Sequence, residues 1–179
     1  MESSNNKLIK GILLEDAVAF LKERKGGLAV GELEKEIGPF IFDQYRMYPL
    51  EDLLKLQKAV INKIYDKESD EAYKELGMFT FQTFAHTVVG ATLTNIAHSP
   101  KELLGKIQQL WDTVLNFGSR KLIEIDENAH LAVVEISDDP RIPAYLEGVI
   151  EAGLKSIGVE VKTEIKNIKN NSYHIEIHW

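Results

Sequence analysis

The chain has 179 residues, enough for one domain, and a domain of that size buries about two thirds of the surface its unfolded chain exposes. Its 28 acidic and 21 basic residues give a net charge of -7, and no Lys/Arg cluster alternates with aromatics, which argues against nucleic-acid or anionic-membrane binding. The lack of cysteine excludes disulfides, thiolate metal sites and a cysteine nucleophile, and no stretch approaches the ~20 consecutive apolar residues of a membrane span.

The opening MESSNNKLIKG has no apolar core like that of a signal peptide, so residues 1–6 are expected to be a flexible leader of a cytoplasmic protein. Ile12, Leu13, Val18, Phe20 and Leu21 predict a helix that runs to Lys25, where Gly26-Gly27 stop it. A short helix over 28–37 follows, closed by Gly38-Pro39. Tyr48-Pro49 opens the next, with Glu51 and Asp52 at the positive end of its dipole and Leu50, Leu53, Leu54, Leu56, Val60, Ile61 and Ile64 as its apolar positions. Residues 70–97 are the least polar part of the chain. Phe79, Phe81, Phe84, Val88, Val89, Leu93 and Ile96 spread around more than one face and predict one buried helix. Ser99-Pro100 caps a further helix over 100–117, with Trp111 in its apolar stripe.

From Arg120 the period changes from 3.6 to 2. Leu122, Ile123 and Ile125, a turn at Asp126-Glu127-Asn128, and the run Leu131 to Ile136 predict a hairpin. An amphipathic helix from Ile142 to near Gly158 separates it from two more strands, Val159 to Lys166 and Tyr173 to Trp179, each with one apolar and one charged face. The expected fold is therefore α+β: a helical first half packed with a four-stranded antiparallel sheet of order ββαββ, all within a single domain over 1–179.

Enzyme chemistry finds little support. There is no Gly-flanked Ser elbow and no glycine-rich phosphate loop after a strand, and Asp138-Asp139 before Pro140 reads as a turn. His174, Glu176 and His178 share one strand face, but residues four apart on a strand stand about 13 Å apart at ~3.3 Å per residue. One zinc bound at ~2.1 Å cannot bridge both imidazoles, so an exposed charged face is expected and no metal. His98 and His130 sit at element ends without a motif. His86 is either a core histidine satisfied by a hydroxyl or a polar contact to a ligand. The helices over 79–97 and 100–117 bring bulky side chains beside Gly90, Ala91 and Thr92. That arrangement leaves either a filled core or a pocket for an apolar ligand, lined by Phe81, Phe84, Val88 and Trp111 with His86 as anchor.

The strings LIKGILLEDAVAFL, RMYPLEDLLKLQKAV, YKELGMFTF, SPKELLGKIQQLWDTVLNFGSRKL and NNSYHIEIHW, with the order of elements, resemble an uncharacterised bacterial family. That family is related to heme nitric-oxide/oxygen binding (H-NOX) domains, 4-vinyl reductase domains and TRAPP transport-particle subunits. The resemblance implies a helical lobe on an antiparallel sheet. It also implies, in H-NOX domains, a helical histidine on heme iron and a Tyr-x-Ser-x-Arg motif on the propionates. Trp111 stands about where that histidine would be, and the indole nitrogen is only a donor. Ile136, Asp138 and Pro140 fall in the motif region and do not match it. Ile165 and Tyr173 stand where 4-vinyl reductase relatives carry cysteines. Heme is therefore rejected. A fatty-acyl site and a dimer of TRAPP type remain compatible. The expected function is a non-enzymatic signalling sensor or carrier that binds a small apolar or acyl ligand, and the alternative is an oligomeric interaction scaffold without a ligand. A homodimer or a signalling-protein partner fits either.

Overall fold

The computed structural model describes residues 7–179, the Leu93 side chain excepted, so the expected leader at 1–6 lies outside the described residues. The elements are β1 (Leu8–Lys10), α1 (Ile12–Ile37), β2 (Met47–Pro49), α2 (Leu50–Tyr65), α3 (Asp70–Ala85), α4 (Val88–Ile96), α5 (Pro100–Leu104), α6 (Ile107–Asp112), β3 (Ser119–Asp126), β4 (Leu131–Ser137), α7 (Pro143–Ser156), β5 (Lys162–Lys169) and β6 (Ser172–His178). The architecture is α+β, with helices first and ββαββ after, as the change of period predicts.

Local chemistry sets most boundaries. α1 is interrupted at Gly26, whose φ of 82° favours glycine. The α2 face of Leu50, Leu53, Leu56, Val60, Ile61 and Ile64 is buried at helical spacing. Ser69 and Ser99 cap α3 and α5 by accepting from the amides of Ala72 at 3.2 Å and Glu102 at 3.3 Å.

The run 70–97 is not one buried helix. α3 stops at Ala85, and Thr87 starts α4 by accepting from the Gly90 amide at 3.1 Å. A Cβ on Gly90 would stand 2.0 Å from the Phe84 carbonyl, so the tight corner depends on glycine there. As a result Val88 is 85% exposed and Val89 faces outward too. The predicted helix over 100–117 likewise divides into α5 and α6 about Gly105-Lys106. A two-stranded pair, β1 with β2, was too short to show a period; it sets Ile9 opposite Tyr48.

The sheet order is β3-β4-β6-β5, so the inner strands of the two hairpins pair with each other. Ala132, Val134 and Ile136 face Ile177, Ile175 and Tyr173, and all six are buried. The strand expected over 159–166 begins only at Lys162, and a register shift between Lys166 and Lys169 turns Ile168 outward. The opposite face carries the expected charge ladder, with Lys166 2.8 Å from Glu176 and His178 2.8 Å from Glu176. Helix α7 lies against α3 without side chains between them at two points. A Cβ on Gly77 would fall 1.9 Å from the Tyr145 carbonyl oxygen, and one on Gly148 2.0 Å from that of Lys74.

Helices and sheet meet at a buried ionic joint. Asp139, after β4, accepts from Arg141 Nη2 at 2.6 Å and Nε at 3.0 Å and also pairs with Arg120 of β3. Arg120 Nη1 donates to the Phe117 carbonyl at 2.7 Å, and its amide donates to Gln108 of α6 at 2.6 Å. Burial would raise the Asp139 pKa, but the two guanidiniums outweigh it and hold the carboxyl well below the usual carboxylate range.

Asp139→Asn is expected to lose about 3–5 kcal/mol of stability, because two buried guanidiniums are left without a counter-charge. Urea titration at constant m-value reads this directly. A depressed folded pKa contributes stability above the unfolded value of 3.8 and loses it as pH falls below that value, so the wild type should weaken there more steeply than the variant. Gly148→Ala should also destabilise, by forcing α3 and α7 apart.

Candidate functional site

The first turns of α1 and the helices α3, α5, α6 and α7 line a partly open cavity of about 70 Å³. Its walls are Ile12, Leu13 and Asp16; Thr80, Phe81 and Phe84; Leu103 and Leu104; Ile107, Leu110, Trp111 and Val114; and Val149, Ile150 and Gly153. Gly153 keeps the α7 wall low: a Cβ there would stand 3.2 Å from the Phe81 ring. The surface is apolar apart from Asp16 and Thr80.

Three of the five expected pocket residues converge here. Phe81 and Phe84 have ring centroids 6.2 Å apart and line the cavity with Trp111. The structure does not place His86 or Val88 with them. His86 is exposed at the C-terminus of α3, so it is neither a core histidine nor an anchor in the cavity. Val88 lines a shallow outer groove with Val89, Thr92, Ile96, Lys106, Gln109, Leu110 and Thr113. Both misplacements follow from the break between α3 and α4.

Trp111 has two neighbourhoods. Besides lining the cavity, its ring carries the Arg141 guanidinium 4.5 Å from its centroid and that of Arg120 at 5.6 Å. Cation–π attraction is strongest when the cation is desolvated, as both are here. The ionic joint therefore fixes the ring that shapes the pocket.

Asp16 is the polar residue that sequence reasoning missed. Its signal was present: it interrupts the buried stripe of Leu13, Leu14, Ala17, Phe20 and Leu21 on α1. The carboxyl is buried and belongs to no ion pair among those of the described residues. Its Oδ1 lies 2.7 Å from the Thr83 hydroxyl, which is itself 2.9 Å from the Thr80 carbonyl oxygen. Burial lifts its pKa to about 7, partly offset by Thr83 and helped by Glu15. Among the described residues no cluster of His, Cys, Asp or Glu could hold a metal, and no helix is long and apolar enough to cross a membrane.

The profile of a family described as Protein of unknown function (DUF2378) matches residues 29–179. No curated protein matches the chain in sequence. Among solved structures, the Fe(II) unliganded H-NOX protein from K. algicida superposes with a TM-score of 0.76 at 12% identity, over 94% of this chain and 95% of that one. An H-NOX protein from S. oneidensis in the Fe(II)NO state gives 0.76 at 12%, over 94% and 98%. A protein studied for how porphyrin distortion modulates heme redox potential gives 0.67 at 18%, over 95% and 99%. At these identities the likeness establishes a shared H-NOX-type fold.

Heme does not fit the residues that line this cavity. They offer iron no imidazole, thiolate or phenolate, and the indole of Trp111 has no lone pair to give. About 70 Å³ is also far below the ~300 Å³ at the lower end of ordinary ligand pockets.

Trp111→Ala should cost about 3–5 kcal/mol, from the cavity it leaves and the stacking it removes. Asp16→Asn should give the reverse: since the folded pKa is raised, its stability contribution is full below 3.8 and is lost as pH rises through about 7. The variant should match the wild type near pH 4 and exceed it above pH 8, by up to a few kcal/mol, as thermal melts across that range would show.

Proposed function

We propose that this chain, which belongs to the family described as Protein of unknown function (DUF2378), is a heme-free, non-enzymatic binding module of H-NOX-type fold that takes up a small apolar ligand. The observation that carries this reading is the apolar pocket beside Trp111, on a fold whose relatives hold iron. At about 70 Å³ it is roughly half the ~150 Å³ of an apolar cavity that takes up benzene. The fitting occupant has a few heavy atoms, and an acyl chain enters only if the helices part. Signal output would come from an occupant that changes how Phe81, Phe84 and Trp111 pack, since close-packed interiors switch between discrete arrangements.

An interaction scaffold is the second reading. Val88, Val89 and Ile96 expose apolar surface on α4 and favour it. A cytoplasmic location and a homodimeric or signalling partner are part of either proposal.

Native mass spectrometry and solvent extraction of the purified protein separate the two. A bound apolar mass supports the binding module. A clean apo mass with an empty extract, together with a stable oligomer, favours the scaffold. Hemin titration is expected to give no sharp Soret band; one that survives in Trp111→Phe and vanishes in His86→Ala would overturn the heme-free assignment.

A further inference from the structure

Asp16 gives the cavity a chemistry that its apolar walls do not. Among the described residues the carboxyl has no ion pair, and the charge that acts on it is that of Glu15. Thr80 and Thr83 face it from α3, and Tyr145, fully buried and hydroxyl-bonded to Thr80, lies near it on α7. Helices α5 and α6 present only carbon and the indole of Trp111 to the cavity. Glu15, next to it on α1, adds negative charge, and the buried guanidiniums of Arg120 and Arg141 are committed to Asp139. Of this shell, the Thr83 hydroxyl favours the anion, and burial outweighs it.

The hydroxyl geometry points the same way. Thr83 Oγ1 has one proton and two oxygen neighbours, Asp16 Oδ1 at 2.7 Å and the Thr80 carbonyl at 2.9 Å. If Asp16 is ionised, both neighbours are acceptors and only one can be served. If Asp16 is protonated, its O–H donates to Thr83 while Thr83 donates to the Thr80 carbonyl, so both short contacts of Thr83 are hydrogen bonds at once. Burial raising the pKa to about 7 agrees with that arrangement.

We propose that the cavity is a proton-linked site for an uncharged ligand: Asp16 carries its proton when the ligand is bound, and losing that proton empties the site. This rests on the apolar-pocket reading above and adds to it the ligand's charge class and a control by pH. The proton moves between Asp16 and bulk water, and no covalent step is involved. Once ionised, the carboxylate draws water into the cavity, and an apolar occupant must then compete with that hydration.

Xenon is the probe, because it is uncharged, small and taken up by dry apolar cavities. Binding to the full chain is followed by ¹²⁹Xe NMR between about pH 5 and pH 9. Affinity should weaken about tenfold per pH unit above the Asp16 midpoint, as the competent fraction falls. It should stay constant in Asp16→Asn, which keeps the shape and cannot ionise. Carboxyl ¹³C shifts of the wild type report the midpoint directly, so the proposal stays testable if the variant does not fold. Xenon binding that is equal at all pH values overturns the proton linkage and leaves the pocket reading standing. No xenon binding at any pH by a folded wild type and variant overturns both. The propylammonium cation, tested in parallel, should not bind; if it binds more tightly as pH rises, Asp16 serves as a carboxylate for cations and the uncharged-ligand class is wrong.

Discussion

The Asp139 carboxylate, shared by two buried guanidiniums, is the constraint on which the rest of the molecule turns. It draws together β3 through Arg120, the loop before α7 through Arg141, and α6 through Gln108 and the Trp111 ring. An isolated ion taken from water into a protein interior is penalised by several kcal/mol even after relaxation. Here the penalty is met by charge pairing, by the Phe117 carbonyl and by aromatic faces on Trp111, Phe117 and Tyr145. The same contacts that hold helices to sheet thus decide the position of the indole that bounds the cavity. Structure and site share one electrostatic origin.

The large features were legible because they rest on local rules. The switch of period at Arg120, the serine cap at 99 and the glycine break at 26 follow from side-chain direction, capping and backbone freedom within a few residues. What was not legible depended on contacts distant in sequence. The division of 70–97 at Thr87 looked like continuous apolar helix, because nothing local shows that α4 leaves the core. The strand pair β1 with β2 has three residues a side and no period to read. β5 started late because Val159 and Val161 alternate like a strand yet pair with nothing in the sheet.

The site was half legible for the same reason. Phe81, Phe84 and Trp111 sit on faces that helical spacing predicts, and they meet. His86 and Val88 were assigned to the cavity by a helix that ends before them. Asp16 was visible as a carboxylate in an apolar stripe, but its meaning came only from Thr83, 67 residues away. The cavity lining of this chain holds no imidazole, thiolate or phenolate, and it includes a carboxyl with no ion pair among the described residues.

The glycines at 77 and 148 carry a mechanical consequence. At these two points backbone is set against backbone, so α3 and α7 cannot shift past one another there without a clash. The facing wall is made of α5 and α6, two short helices joined at a glycine, and Leu110 separates the cavity from the outer groove. Leu110 is therefore a partition between a buried and an exposed apolar surface, and α4, with its exposed valines, borders the outer one.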